Sequence, residues 1–191
     1  MNMRDTLLAA ALEVLEEGGE AKFSTRAVCA VAKVTAPTLY HHYGSADGLL
    51  SAAMAEAFAQ FLRSKQAAVQ ADDPETTLRE GWDDYVRFAA ARPRLYAAMI
   101  GRVLEGARIP AAEQAFALLI RHIRAVADEG RLALPPEAAA DLLWSSVNAA
   151  SLLYVTARLR DAGPPDPAVV ASIREHALQA VFLPKTKEAP Q

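Results

Sequence analysis

The chain has 191 residues, 52% of them hydrophobic, with a single cysteine and a net charge of −3. That length holds one large domain, or a small one joined to a larger one, without disulfides or metals as staples. The charge excludes a protein that coats nucleic acid through bulk positive potential, but leaves room for a small local DNA-binding surface.

Abundant Ala, Leu, Glu and Arg favour helix, so the expected class is all-α. In the first segment Leu7, Leu8, Ala11, Leu12 and Leu15 recur at helical spacing, and Gly18-Gly19 supplies the left-handed backbone that ends a helix. Ser24 suits the N-cap of a short helix from about Thr25 to Ala32, whose Ala27, Val28 and Val31 can meet that apolar stripe. A second short helix begins after Thr35. From Ser45, with Asp47 in the first turn, a long helix carries Leu49, Leu50, Ala53, Met54, Ala57, Phe58, Phe61 and Leu62 and runs to about Val69.

Prolines write the remaining starts, at Asp73-Pro74, Arg92-Pro93, Ile109-Pro110, Pro135-Pro136 and Asp166-Pro167. Proline suits a first helical turn and disfavours helical geometry in the residue before it. Gly130 and Gly163 are expected to stop the helices that precede the last two starts. About nine helices result, with no β-alternating run and a polar tail from Lys185 to Gln191. The most apolar stretch, Leu142 to Val155, is shorter than the roughly 20 residues a membrane-spanning helix needs. Acidic residues interrupt the apolar start of the chain, unlike a signal peptide, and the lone Cys29 fits a reducing cytoplasm.

The segment from Ser24 to Tyr43 carries the chemistry. Two helices this short do not persist alone and must pack as a unit on the first helix, which is helix-turn-helix architecture. Val34 falls where the turn drops an apolar residue inward, Thr35 is placed to cap the second helix, and Leu39 follows one turn later. The outward set is then Ala36, Pro37, Thr38, Tyr40, His41 and His42, joined by Thr25, Arg26 and Lys33. Such groups suit a duplex, because a recognition helix offers its N-terminal residues to base edges while hydroxyls and amides hold phosphates. Charge does not help: residues 1–45 hold Arg4, Lys22, Arg26 and Lys33 against Asp5, Glu13, Glu16, Glu17 and Glu20.

The run from Val34 to Tyr43, followed by Ser45 and Leu49-Leu50, resembles the TetR family of bacterial transcriptional regulators. The resemblance implies a helix-turn-helix DNA-binding domain over 1–45 and a helical ligand-binding and dimerisation domain over 46–184, with 185–191 a polar tail. It also implies a homodimer on a palindromic operator, repression as the usual mode, and a small-molecule effector. Two positions depart from the family. Lys33 stands where Gly is usual, so a non-Gly residue is expected to adopt left-handed backbone. Ala46 stands where a phosphate-binding Lys is common, so one anchoring contact is expected to be missing. The acidic balance and these departures leave a second reading, a helical small-molecule-binding protein with a vestigial DNA-binding head.

Phe58, Phe61, Trp82, Tyr85, Tyr96, Met99, Arg102 and Phe116 are the candidates for lining a largely apolar effector pocket. Trp144, Asn148, Ser151, Leu152, Ile173, Ala177 and Val181, on the last two helices, are those for a dimer interface, where small residues let helices approach closely. Cys29 is expected to be a small buried residue, and Tyr43 to pack the hinge after the second short helix. His41 and His42 are adjacent, and His122 and His176 lie on separate helices without ligand spacing, so no metal site is expected. No cofactor motif, phosphate loop or catalytic signature occurs, and an enzyme is not the expected function.

Overall fold

The computed structural model describes residues 2–67, 73–157 and 163–184. Within them lie nine α-helices: α1 (Met3–Gly18), α2 (Thr25–Ala32), α3 (Ala36–Tyr43), α4 (Ala46–Ala67), α5 (Pro74–Ala91), α6 (Pro93–Leu104), α7 (Pro110–Asp128), α8 (Pro136–Val155) and α9 (Pro167–Val181). All five proline-marked starts fall on the first residue of a helix. The expected end of α4 near Val69 and the tail from Lys185 lie outside the described residues. The chain divides into two compact units, Met1–Ala67 with Phe88–Gln114, and Ala68–Arg87 with Ala115–Gln191.

In the first unit, α1 opens on a reciprocal cap: the Asp5 amide donates to the Asn2 side chain at 2.9 Å, and the Asn2 amide donates back to Asp5. The helix stops at Gly19, whose φ of 68° is left-handed. Leu7, Ala11 and Leu15 are completely buried, while Leu8 and Leu12 are half-buried at the edges of the stripe. α1 packs on α2, α4 and α6, with a 3-10 turn at Glu20–Lys22 between α1 and α2. Along α4 every apolar position expected from the spacing is buried, from Leu49 to Leu62, and the Phe61 ring meets Phe88 edge-on at 5.2 Å.

In the second unit, Leu78, Ile123, Val126, Leu143, Leu178 and Val181 form a core drawn from α5, α7, α8 and α9. A neighbouring cluster joins Trp82 and Val86 to Val147 and Ala150. The backbone after α7 pairs with the end of α9: Ala133 donates to the Val181 carbonyl and Leu183 to that of Arg131, each at 2.8 Å. Arginines stitch the helices together. Arg174 holds Asp83 at 2.5 Å, Arg79 binds Glu175, and Arg131 reaches Asp73 at 2.7 Å and Glu75 at 2.5 Å. The Arg131 hydrogen bond holds the Asp73 carboxyl well below the usual carboxylate range, and Arg79 lowers that of Glu175.

Gly130, at φ 68°, closes α7 as expected. Gly163 does not close α8, which ends at Val155 with Thr156 as its cap. The Thr156 amide and hydroxyl both return to the Leu152 carbonyl, at 2.9 and 2.7 Å.

Candidate nucleic-acid interface

α2 is fastened by its expected cap, the Ala27 amide donating to Ser24 Oγ at 3.1 Å. Completely buried Val28 from α2 and Leu39 from α3 anchor the pair. The turn between them passes through Lys33 at φ 55°, ψ 44°, the one non-glycine residue with positive φ among those described. The expected left-handed lysine is therefore present. Left-handed backbone costs a side-chain-bearing residue roughly 1 kcal/mol relative to glycine. Val34 and Cys29 are half-buried, so the turn's apolar residue seals the edge of the core, and Cys29 is less enclosed than its residue type suggests.

Thr35 occupies the N-cap of α3 but its side chain does not cap the first turn. Its hydroxyl pairs with that of Thr38 at 3.1 Å, two hydroxyls side by side at the helix N-terminus. Such an end attracts anions such as phosphate. Tyr40, 46% exposed, points its hydroxyl at Thr25 Oγ1 at 3.5 Å, bringing together two residues 15 apart in sequence. Arg26, Lys33, Thr35, Pro37 and His41 are also exposed, whereas Thr25, Ala36, Thr38 and His42 are half-buried. The His41 and His42 rings pack edge to face, 5.1 Å apart. The face is thus built from hydroxyls and rings, with two cations.

The corner after α3 fixes how this face is mounted. The Tyr43 hydroxyl donates to the Arg4 carbonyl at 2.8 Å, and the Arg4 guanidinium lies 4.9 Å from the Tyr43 ring centre. Burial pushes the phenol pKa up against the pull of Arg4, keeping the hydroxyl a donor. Ser45 caps α4 through the Gly48 amide at 2.9 Å. A side chain on Gly48 would collide with the Tyr43 carbonyl, a requirement that helical periodicity does not signal.

The acidic end of α1 also has a partner. Glu16 pairs with Arg92 and Glu20 with Arg102, each at 3.4 Å, and Arg94 donates to the Glu17 carbonyl. Two of the carboxylates that weigh against DNA in the sequence are therefore matched by arginines of α6 and the residue before it.

Residues 7–53 match the family model described as bacterial regulatory proteins of the tetR family, and residues 78–176 match the tetracyclin repressor-like C-terminal domain. The chain belongs to the TetR family. A TetR-family transcriptional regulator from Pectobacterium atrosepticum is 26% identical, with 93% of this chain and 89% of that one covered and a TM-score of 0.65. A protein of unknown function from Rhodococcus sp. RHA1 reaches a TM-score of 0.78 at 21% identity, with 96% and 97% covered. The fatty acid degradation regulator FadR from Bacillus halodurans shares the fold at 16% identity, with a TM-score of 0.72 and 93% and 95% covered. No curated protein matches the chain. TetR proteins are DNA-binding transcription regulators, not enzymes. No helix among the described residues is long and apolar enough to cross a membrane.

The other candidates for TetR-type functions fall into both units. Phe58, Phe61, Tyr96 and Met99 are buried in the first, and Trp82 is buried in the second. The Trp82 indole donates to Ser146 Oγ at 3.0 Å, and the Tyr85 hydroxyl donates to Asn148 Oδ1 at 3.1 Å. Phe116 is 37% exposed. Arg102, proposed above for a pocket, sits among carboxylates: besides Glu20 it reaches Asp47 at 3.9 Å and Glu105 at 3.8 Å. On α8, Trp144 and Leu152 are exposed and Asn148 is half-buried; on α9, Ile173 is half-buried. Ser151 and Val181 are completely buried in their own unit, and Ala177 is buried at the floor of the groove between α8 and α9. An open apolar groove runs along α8 and α9, lined by Leu142, Ser145, Ala149, Ile173, His176 and Ala180 among others.

Proposed function

We propose that the chain acts in the cytoplasm as a homodimeric repressor, with residues 1–45 binding DNA and residues 46–184 serving dimerisation and effector binding. Two α3 helices enter successive major grooves of a roughly palindromic operator, about 34–36 Å apart. A largely apolar small molecule then releases the operator, so DNA and effector binding are reciprocally coupled. The observation that carries this reading is the α2–α3 face, where the hydroxyls of Thr25 and Tyr40 meet, those of Thr35 and Thr38 pair, and Arg26 and Lys33 are exposed, over a core sealed by Val28 and Leu39. Recognition there proceeds through hydroxyls, rings and helix ends more than through lysine, so affinity falls only modestly with salt. The exposed Trp144 and Leu152 beside the α8–α9 groove support pairing with a second copy.

The test is selection of genomic fragments by the purified protein, followed by mobility shifts at several salt concentrations. A duplex retained specifically and shifted as one discrete complex supports the regulator. If no duplex is retained even at low salt, the protein is instead a small-molecule-binding protein with a vestigial head.

A further inference from the structure

We propose that Arg102 is a positioning residue for DNA binding: it ties the C-terminal end of α6 to the 3-10 turn and to the first turn of α4, and so fixes the mount of the recognition helix. This rests on the regulator reading above.

Arg102 is the residue at which three separate pieces of the first unit meet. Its guanidinium lies 3.4 Å from Glu20 in the 3-10 turn, 3.9 Å from Asp47 in the first turn of α4 and 3.8 Å from Glu105 just beyond α6. α4 follows α3 after only Gly44 and Ser45, so Asp47 is four residues past the end of the recognition helix. Arg92 and Arg94 make the same kind of link to Glu16 and to the Glu17 carbonyl at the other end of α6. The acidic tip of α1 is therefore a seam for arginines.

The Arg102 side chain is only 22% exposed, and its Nε is buried without a hydrogen-bond partner. A buried donor left unpaired destabilises, and an apolar side chain of similar length avoids that penalty. Only the charge, shared among Glu20, Asp47 and Glu105, offers arginine a distinct role.

The experiment compares full-length wild type with Arg102→Met, Arg102→Lys and Glu20→Gln on two duplexes: the fragment selected by wild type, and the same fragment with one half-site scrambled. Arg102→Met is expected to lower affinity for the intact fragment by about tenfold, within the range of site-to-site coupling, while affinity for the scrambled one changes less than twofold. Helicity is unchanged and the melting temperature moves little, because ion pairs to exposed carboxylates add little stability. Arg102→Lys is intermediate, and adding Glu20→Gln to Arg102→Met causes less further loss than Glu20→Gln alone. Unchanged affinity for the intact fragment overturns the proposal, as does equal loss on both duplexes with a lowered melting temperature, which marks a purely structural arginine. Failure of wild type to retain any duplex overturns the regulator reading itself, and this one with it.

Discussion

The α2–α3 face and the α8–α9 face are both left accessible, yet they are built from opposite chemistry. The first exposes Arg26, Lys33, Thr35, Tyr40 and His41 over a buried Val28 and Leu39. The second exposes Trp144, Leu142 and Leu152 beside small residues such as Ser145 and Ala149. Hydroxyls and rings on a short helix can exchange water for phosphate and base edges with little loss, because each donor finds a partner in the duplex. An apolar helix pair has no such exchange to make and gains only when another apolar face covers it. On the function proposed above, the difference separates a surface for DNA from one for a second copy, within one chain that carries net negative charge.

The largest expected effect removes the first face's function outright. Thr38→Ala with Tyr40→Ala should abolish specific operator retention in mobility shifts, with helicity and molecular mass unchanged; retained affinity breaks the assignment of that face. Next, light scattering should give about twice the 20.5 kDa chain mass. Trp144→Asp with Leu152→Asp should halve that value, because two charges cannot be buried unpaired in an apolar interface. A wild-type monomer removes the second face from the comparison.

Smaller effects sharpen the contrast. Leu39→Ala should destabilise the head by about 2–5 kcal/mol, read from denaturant midpoints, since it empties a fully enclosed site. In the second unit, acid should act through Asp73 and Glu175. Their folded pKa values are lowered, so the stability they contribute is present above the ordinary carboxylate pKa and is lost as pH falls through the folded values. Asp73→Asn should therefore lower the melting temperature at neutral pH and lose that deficit in strong acid; a deficit independent of pH sinks the ion-pair account. Smallest, Lys33→Gly should raise stability by about 0.5–1 kcal/mol by relieving left-handed strain, visible as a rise of about 1–4 °C in melting temperature.

Most of the fold was legible because local rules point one way. Proline at the first turn, serine at Ser24 and Ser45, and the apolar spacing of α4 each name a boundary or a buried face without reference to the rest of the chain. Gly163 failed as a stop signal because α8 had already ended at Val155, with Thr156 as its cap. The recognition segment was legible for the same local reason, down to the left-handed Lys33. The pairing of Thr25 with Tyr40 was not, since neither position signals the other.

The sequence by itself determined the helices, their order, the short recognition unit and the absence of bulk positive charge. Only the tertiary structure decided where the charges go. An acidic cluster read along the chain looks like repulsion from DNA; folded, Glu16 and Glu20 lie against Arg92 and Arg102, residues more than 70 positions later. Ion pairs act over a few ångströms of space. Their partners are set by how α1 and α6 pack, which no local spacing records.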